Sequence, residues 1–203
     1  MLNSMRINKL LFATNNQHKL KEVQDIIGNE ILVISLKEIG FQNEIPETQD
    51  TIEGNALQKA RFIYEKTQLN CFADDTGLEI DALDGRPGVY SARYAGEGCN
   101  FDDNIRKVLE ELNGVENRNA KFRCVICLII SGEEFLFEGR VNGIITSSRS
   151  GSGGFGYDPV FLPSGQNKTF AEMPSYLKNG LSHRGRAVGK MVRFLNAGYW
   201  FLV

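Results

Sequence analysis

The sequence predicts an α/β protein with a mixed β-sheet and helices packed around it. Two features of the sequence support this prediction. Strand-like and helix-like segments alternate in the first half of the chain, and two long strand-like runs joined by a short turn follow later. The chain has 203 residues, of which 42% are hydrophobic and 24% charged, a composition typical of globular proteins. This length is sufficient for one sizeable domain, which we expect to span residues 1–203.

Charge and hydropathy narrow the functional classes. The net charge is −2, so no overall basic field attracts nucleic acid, and an anionic ligand needs a local cluster of Lys and Arg. No apolar run approaches the roughly 18–20 residues that span a bilayer, and the N-terminus lacks the apolar core of a signal peptide. We therefore expect a cytoplasmic protein with neither a membrane nor a nucleic acid as its partner.

The spacing of apolar residues assigns the elements of the first half. We predict a strand over residues 8–13, a helix with Leu20, Val23, Ile26 and Ile27 on one face, a strand over 31–36, a helix over 51–66 and a strand over 70–73. The last of these strands leads into the sequence DDTG, which we interpret as an acidic turn. Residues 78–95 then form two extended pieces around the turn LDGRPG.

The second half is assigned in the same way. We predict a helix over residues 102–112, strands over 120–131 and 134–145, a glycine-rich loop, the short segment PVFLP and a helix over 182–196. The two strands flank Gly132-Glu133 and form a predicted hairpin. The apolar tail YWFLV is expected to pack on the body of the protein or on a partner.

The glycine-rich loop GSGGFGYDPVF, residues 151–161, is the most informative segment. Five of its eleven residues are Gly or Pro, and glycine allows a backbone to approach a ligand closely or to adopt a positive φ. The loop also carries Phe155, Tyr157 and Asp158, which can stack on a planar group and hydrogen-bond its edge. A bulged turn that closes a hydrophobic strand is the alternative for this segment on its own.

The polar segment TNNQHK, from Thr14 to Lys19, lies between a predicted strand and a predicted helix. This position offers free backbone N–H groups and the positive end of a helix dipole to an anion. Lys19 adds a positive charge, and Asn15 and Asn16 can donate hydrogen bonds. Simple helix capping by Asn15 or Asn16 explains the same residues.

Two further sets of residues carry charge. Asp74 and Asp75 are adjacent carboxylates whose repulsion a divalent cation would relieve, and hard oxygen ligands with few protein contacts suit Mg²⁺. A β-turn without a metal is the alternative. Asn55 and Lys59 share one face of the helix over 51–66, although a lone Lys on a helix is more often a solvated surface residue.

His183 begins the final helix in the sequence SHRGRA, beside Arg184 and five residues after Lys178. These three side chains can hold phosphates or the edge of a base, but the pattern also fits a helix N-cap with solvated charges. A zinc enzyme is not indicated, because the chain has two histidines without a metal-binding pattern. Cys124 and Cys127 are three apart on a predicted strand, so their thiols should point to opposite faces and not converge on a metal.

The motifs follow one another in a specific order: TNNQHK, Glu47, Lys59, DDTGL, GRPGVYSARYAG, GGFGYDPVF, Lys178 and SHRGRA. In this order they resemble the inosine/xanthosine triphosphate pyrophosphatase family, the house-cleaning enzymes of the Ham1 type. The resemblance covers nearly the whole chain, from about Leu10 to Ala187. It implies an elongated α/β fold with two lobes around a central cleft, and a homodimer.

The resemblance also implies Mg²⁺-dependent hydrolysis of ITP, dITP and XTP to the monophosphate and pyrophosphate. Carried over by position, Glu47 and Asp75 would hold Mg²⁺, Asp75 would accept the proton of the attacking water, and Asp74 would be an auxiliary acid. The implied substrate-binding residues are Thr14, Asn15, Asn16, Gln17, His18, Lys19 and Lys59 at the triphosphate, then Thr76, and Phe155, Gly156, Tyr157, Asp158, Lys178, His183 and Arg184 around the base. Glu44 and Asp50 compete with Glu47, because they lie in the same segment.

Two other functions compete with this one. A related pyrophosphatase acting on modified pyrimidine or ordinary deoxynucleotides would not need the pair GGFGYDP and SHRGRA. A nucleotide- or RNA-binding module without hydrolysis would use the same basic loops, although the acidic residues and the net charge of −2 disfavour RNA. A 6-oxo purine accepts a hydrogen bond where adenine donates one, so donors such as Arg184 would be left unpaired by ATP.

Overall fold

The computed structural model describes residues 7–29 and 31–198. This described part contains seven strands: β1 (Lys9–Phe12), β2 (Leu32–Ser35), β3 (Cys71–Ile80), β4 (Pro87–Gly88), β5 (Asn119–Ile130), β6 (Glu133–Ile145) and β7 (Phe161–Pro163). It also contains five α-helices: α1 (Gln17–Ile27), α2 (Ile52–Thr67), α3 (Phe101–Glu111), α4 (Ser175–Leu181) and α5 (His183–Ala197).

The strands form one sheet in the order β2-β1-β3-β5-β6-β7, with β4 beside β3. β1 runs parallel to β2 and β3, whereas β3, β5, β6 and β7 are antiparallel neighbours. Parallel strands need a crossover connection, and α1 and α2 provide it here. The sheet is therefore mixed, and the predicted α/β class is confirmed.

β5 and β6 form the predicted hairpin, paired from Asn119 with Ile144 to Ile130 with Glu133. The turn consists of Ser131 and Gly132, one residue earlier than predicted. Both have positive φ, 52° and 93° respectively. A two-residue turn of this kind matches the twist of the flanking strands.

The sequence DDTG is not a turn, contrary to the prediction. Asp74, Asp75 and Thr76 lie in the middle of β3, which continues to Ile80 and pairs with β5 along its whole length. This pairing satisfies backbone groups that a turn would have bonded locally. Because successive side chains of a strand point to opposite faces, the two carboxylates point away from each other. Repulsion between them therefore gives no reason for a metal ion bound between the two.

Helices cover both faces of the sheet around β1 and β3. α2 packs on one face, and α1 and α5 pack on the other. Cys124 belongs to the core under α1 and α5 and Cys127 to the core under α2, which confirms that these thiols point to opposite faces. A third core, which includes Leu78, Phe122 and Phe161, lies under α3 at the far half of the sheet. The polar residues of β3 lie where the three cores meet.

The start of α5 lies close to the sheet because β6 has a glycine at position 139. A Cβ there would lie 2.0 Å from the carbonyl oxygen of His183. This close approach brings His183 and Arg184 over the middle of the sheet, next to Asp74.

Within residues 7–29 and 31–198, no helix has the length and apolar character needed to cross a membrane. The prediction for the tail YWFLV concerns residues 199–203, which lie outside the described residues.

Candidate active site

A cleft with a volume of about 440 Å³ opens beside the middle of β3. This volume is typical of sites that bind small molecules. Its walls are the loop before α1, α2, β3, the segment around Ser91, the start of α3, the glycine-rich loop, α4 and the start of α5. Segments that are far apart in the sequence therefore meet around one cavity.

Most of the residues predicted for the site line this cleft. They are Thr14, Asn15, Asn16, Lys19, Glu47, Lys59, Asp75, Thr76, Phe155, Gly156, Tyr157, Asp158, Lys178, His183 and Arg184. Gln17 and His18 are outside its lining, and Asp74 is buried beside it. Of the two competitors of Glu47, Glu44 lines the cleft and Asp50 is exposed elsewhere.

Asn16 caps α1, so the capping alternative holds for this residue. Its Oδ1 accepts hydrogen bonds from the backbone N–H groups of His18 (2.9 Å) and Lys19 (3.2 Å). Thr14 Oγ1 in turn accepts from the N–H of Asn16 at 3.1 Å. The N–H groups of His18 and Lys19 are thus already bonded, but the side chains of Thr14, Asn15 and Lys19 line the cleft at the positive end of α1.

Glu47, Lys59 and Asp75 form a group that we call the acid cluster. Lys59 Nζ donates to Glu47 Oε1 at 2.5 Å and to Asp75 Oδ1 at 2.9 Å. Asn55, on the same face of α2, donates from Nδ2 to Asp75 Oδ2 at 3.3 Å. Lys59 is 4% exposed, so the alternative of a solvated surface lysine is wrong.

In the acid cluster, two carboxylates share one ammonium group. Burial disfavours the charged form of Lys59, but the carboxylates of Asp75, Glu47 and Asp74 outweigh it and raise the pKa of this lysine. Burial also raises the pKa of Asp75, by more than the charges of Lys59 and Lys19 lower it. Asp75 is therefore a buried carboxylate with increased proton affinity, which is what a general base requires.

Asp74, on the opposite face of β3, is fully paired. Lys19 Nζ donates to its Oδ1 at 3.0 Å, and Arg184 donates to its Oδ2 from Nε (3.2 Å) and Nη2 (3.1 Å). Burial opposes the charge of Asp74, but Lys19, Arg184 and Lys59 together lower its pKa. Asp74 stays ionised and joins the start of α1 to the start of α5.

Lys178 and Arg184 form a second group with Glu22 and Asp158, which we call the arginine cluster. Lys178 Nζ lies 2.5 Å from Glu22 Oε1 and 2.5 Å from Asp158 Oδ2. Arg184 Nη1 donates to Glu22 Oε2 at 2.6 Å. Lys178 and Arg184 are 4% and 2% exposed, so they are not the solvated charges of the alternative interpretation. Although burial opposes it, the charges of Arg184 and Lys178 lower the pKa of Glu22.

The glycine-rich loop places Asp158 in the arginine cluster. Gly154 has a φ of 69°, and a Cβ at this position would lie 2.0 Å from Asp158 Oδ2. The same oxygen accepts a hydrogen bond from the N–H of Phe155 at 2.8 Å. Tyr157, also buried, donates from its hydroxyl to the carbonyl of Ser91 at 2.9 Å. The loop therefore folds around a buried carboxylate and does more than close a strand.

His183 is a neutral side chain beside these charges. Its ring stacks on Phe122, with ring centroids 4.6 Å apart and an interplanar angle of 18°. Burial, together with the charges of Arg184 and Lys178, lowers the pKa of His183 well below 6.5. Its Nδ1 is buried and has no hydrogen-bond partner among the described residues. His183 thus has a buried ring nitrogen, unpaired within the described part of the chain, next to two cations.

Phe155 is the partly exposed ring of the glycine-rich loop. The cationic groups of Lys178 and Arg184 lie 5.0 Å and 5.6 Å from its ring centroid, within the range of cation–π contacts. Because this ring also lines the cleft, it offers a stacking surface for a planar ligand.

A divalent cation fits the acid cluster by the chemistry of its donors. Glu47 and Asp75 supply hard carboxylate oxygens, both within 2.9 Å of the Lys59 nitrogen, and Arg93 lies further away, 3.9 Å from Glu47. In the part of the chain that the structure describes, no three His, Cys, Asp or Glu side chains form a complete metal site. A cation here would take further oxygens from water or a ligand, as Mg²⁺ commonly does.

Sequence reasoning missed several residues of the site, among them Glu22 and Phe101. Glu22 lies on the polar side of an amphipathic helix, and its only signal is that it follows Lys19 by three residues on the same side of α1. Phe101 is the first residue of α3 and lines the cleft. The sequence indicates Phe101 only by a large apolar side chain at the start of a helix whose other first residues are polar.

Comparison with known proteins agrees with the motifs. The sequence model of the Ham1 family matches residues 10–194. The dITP/XTP pyrophosphatase of Porphyromonas gingivalis is 53% identical over 190 residues, and that of Flavobacterium johnsoniae is 50% identical over 189 residues. Each alignment covers 93% of this chain and 98% of the relative. The structure of the Staphylococcus aureus Ham1 protein is 37% identical, covers 93% of this chain and 98% of its own, and superimposes with a TM-score of 0.84.

Proposed function

This chain belongs to the Ham1 family, and on that premise we propose that it hydrolyses the non-standard purine nucleoside triphosphates dITP, ITP and XTP. The products are the nucleoside monophosphate and pyrophosphate, so the enzyme would remove these nucleotides before they enter DNA or RNA. One observation carries the proposal: a single cleft joins the acid cluster, suited to hydrolysis, to the arginine cluster and His183, suited to reading a base. The names of the relatives, dITP/XTP pyrophosphatases, support the substrate class.

The triphosphate would bind at the loop before α1 and at Lys59. A triphosphate carries about four negative charges. In phosphoryl transfer the protein contributes mainly by positioning the substrate and stabilising its charge. Lys19 would contribute its ammonium, and Thr14, Asn15 and Asn16 would contribute hydrogen bonds. Gln17 and His18 belong to the same segment, but their side chains lie outside the cleft, so the proposal gives them no side-chain contact.

The acid cluster would carry out the hydrolysis. Glu47 and Asp75 would hold Mg²⁺, which supplies positive charge to the phosphate oxygens when it is bound. Asp75 would accept the proton of the attacking water, in keeping with the raised pKa of its carboxyl group. The role of auxiliary acid predicted for Asp74 does not suit its lowered pKa, so Asp74 would instead orient Lys19 and Arg184. The Thr76 hydroxyl would contact the substrate beside it.

The arginine cluster and the glycine-rich loop would select the base. The ring of Phe155 would stack on the purine, and the loop residues Gly156 and Tyr157 would complete this wall. Lys178 and Arg184 are donors, so they would favour the 6-oxo group of hypoxanthine or xanthine over the 6-amino group of adenine. Asp158 would hold Lys178 in place. When a site hydrogen-bonds a polar group of its substrate, an analogue without that group leaves the site's donors unpaired. Such a site can discriminate against the analogue by about 10⁴-fold or more.

A product assay tests the proposal. Pyrophosphate and orthophosphate are measured separately with Mg²⁺ and ITP, XTP, dITP, GTP or ATP. We expect pyrophosphate from ITP, XTP and dITP at much higher rates than from ATP, because the donors disfavour its 6-amino group, and than from GTP, in keeping with the names of the relatives. Equal rates with all five nucleotides would contradict the specificity, and orthophosphate as the direct product would contradict the reaction. The Asp75→Asn variant, purified in the same way, serves as the control. Any activity from a contaminating phosphatase would be equal in the two samples.

Several narrower statements belong to the same proposal. We propose one domain of two lobes over residues 1–203, Mg²⁺ as the metal, a homodimer as the assembly and the cytoplasm as the location. Light scattering on a size-exclusion column tests the dimer, since a mass close to that of one chain would contradict it. Loss of pyrophosphate release in a chelator, with recovery on adding Mg²⁺, tests the metal.

A further inference from the structure

Phe101 occupies a position in the cleft that the site described above does not use. It is the first residue of α3, its side chain is 36% exposed, and it lines the same cleft as Lys19 and Arg184. The other apolar residues of α3, such as Ile105 and Val108, are buried in the core under this helix. Phe101 alone directs an apolar ring of this helix towards the cleft.

Three rings from three different segments meet at this place, and we call them the mouth cluster: His18, Phe101 and Phe155. The Phe101 and Phe155 ring centroids are 6.1 Å apart with an interplanar angle of 46°. His18 lies against Phe155 at 5.2 Å and 18°, nearly parallel to it. His18 therefore covers one face of Phe155, whereas Phe101 and Phe155 both line the cavity.

The wall that carries Phe101 is held firmly. Asn104, one turn further along α3, is buried and donates from Nδ2 to the carbonyl of Ala92 at 2.9 Å. Its Oδ1 accepts from the N–H of Ala95 at 2.6 Å. These bonds fix the start of α3 to the segment that follows β4. The ring of Phe101 is thus presented by a fixed element, which is the requirement for a binding contact of defined geometry.

The chemistry of the neighbours indicates what Phe101 would touch. Phe155, its nearest ring in the cavity, is the ring beside Lys178 and Arg184, where the proposed base-reading donors lie. Aromatic side chains stack on nucleobases with little dependence on the identity of the base. A second ring at this place adds affinity for the base, while the donors of the arginine cluster supply the discrimination.

We propose that Phe101 is a further substrate-contacting residue, whose ring packs against the purine base from the α3 side of the cleft. This inference rests on the proposed function, because it needs a purine nucleotide in the cleft. The contact is with the base and not with the phosphates, since the phosphates are assigned to Lys19 and Lys59. Removal of the ring should therefore weaken the binding of nucleotides but not the binding of a polyphosphate without a base.

Binding measurements without turnover test this inference. The probes are ITP with a methylene group between the α- and β-phosphorus atoms, which cannot be cleaved there, and inorganic tripolyphosphate, which has no base. Both are titrated by calorimetry into the wild type, Phe101→Ala, Phe101→Tyr and Leu136→Ala. Leu136 is 48% exposed on β6, outside the cleft, and its variant controls for the loss of an exposed apolar side chain.

Phe101→Ala should bind the ITP analogue about 5- to 100-fold more weakly, the range for loss of one base–aromatic contact. It should bind tripolyphosphate as the wild type does, and Phe101→Tyr and Leu136→Ala should bind both probes normally. Unchanged affinity of Phe101→Ala for the ITP analogue would overturn the inference. Equal loss for both probes would overturn it as well, because the ring would then only shape the cleft.

Different results would refute the proposed hydrolysis and the proposed role of Phe101. A wild type that binds the ITP analogue but releases no pyrophosphate from ITP would refute the proposed function and leave the role of Phe101 intact. A wild type that does not bind the analogue would refute both. If Phe101→Ala does not fold, Phe101→Leu keeps an apolar side chain without the aromatic ring, and the same comparison of the two probes applies.

Discussion

The acid cluster and the arginine cluster line one cleft but balance their charges differently. In the acid cluster Lys59 bonds both carboxylates and Arg93 lies 3.9 Å from Glu47, whereas in the arginine cluster two carboxylates contact two cations within 2.6 Å. Within hydrogen-bond distance, the acid cluster has one cation for its two carboxylates and the arginine cluster has two. An unbalanced cluster can accept a metal ion or a proton, and a balanced one can present fixed donors to an uncharged ligand.

The same contrast occurs between two adjacent residues of β3. Both Asp74 and Asp75 are buried, and burial alone would raise the pKa of each carboxyl group. Lys19 and Arg184 reverse this effect at Asp74, but Lys59, shared with Glu47, does not reverse it at Asp75. The folded protein therefore stabilises the charge of Asp74 and disfavours that of Asp75.

Asp75→Asn should have the largest effect. We expect ITP turnover to fall by about 10²- to 10⁴-fold, the usual contribution of a general base. The free energy of unfolding should fall less than in Asp74→Asn, because burial disfavours the charge of Asp75 and Lys59 keeps Glu47 as a partner. Pyrophosphate release and urea unfolding measure the two quantities. A fully active variant would show that Asp75 is not the proton acceptor.

Asp74→Asn is the matched change one residue earlier, and its main effect should be on stability. The variant leaves the buried cations of Lys19 and Arg184 short of a partner. We expect the free energy of unfolding to fall by about 3 kcal/mol, the lower end of the range for a broken buried ion pair, because Arg184 keeps Glu22. Equal urea midpoints for Asp74→Asn and Asp75→Asn would show that the charges of the two residues contribute equally to stability, which would contradict the difference between the two faces of β3.

The sequence predicted those parts of the fold that are determined by nearby residues. The helix α2 and the β5–β6 hairpin follow from local periodicity and turn chemistry, and both were found within one or two residues. The prediction failed at β3, because DDTG has the composition of a turn and only the distant strand β5 makes it extended. It also missed α4, whose seven residues follow Pro174 and include Gly180, so its helical signal is weak.

The candidate site shows the same limit. The motifs identified most of the residues that line the cleft, because Gly-rich, acidic and basic segments have recognisable compositions. They did not indicate which side chains pair, since Glu22 and Lys178 are 156 positions apart. The opposite directions of Asp74 and Asp75 depended on the extent of β3. The pairing of charges within each cluster could therefore not be predicted from the sequence.

His183 should have the smallest effect, on the pH dependence of stability. Its pKa is lowered by burial and by Arg184 and Lys178, so the unfolded chain binds a proton near pH 6.5 while the folded protein does not. Stability should therefore fall as the pH drops below about 6.5, with a contribution of up to about 1.4 kcal/mol per pH unit from this group.

His183→Gln should lose this part of the slope between pH 7.5 and pH 5, measured by urea unfolding. The control is Leu136→Ala, which replaces an exposed, non-titrating side chain outside the cleft and should keep the wild-type slope. Identical slopes for the wild type and His183→Gln would show that His183 is not held neutral in the folded protein.

The central claim is that the acid cluster cleaves the substrate and the arginine cluster selects it. The most direct test is to measure the binding of ITP and ATP to Asp75→Asn by calorimetry in Mg²⁺, together with pyrophosphate release from the same samples. We expect the variant to bind ITP much more tightly than ATP and to release pyrophosphate about 10²- to 10⁴-fold more slowly than the wild type. Equal binding of the two nucleotides, or pyrophosphate release at the wild-type rate, would contradict this division of roles.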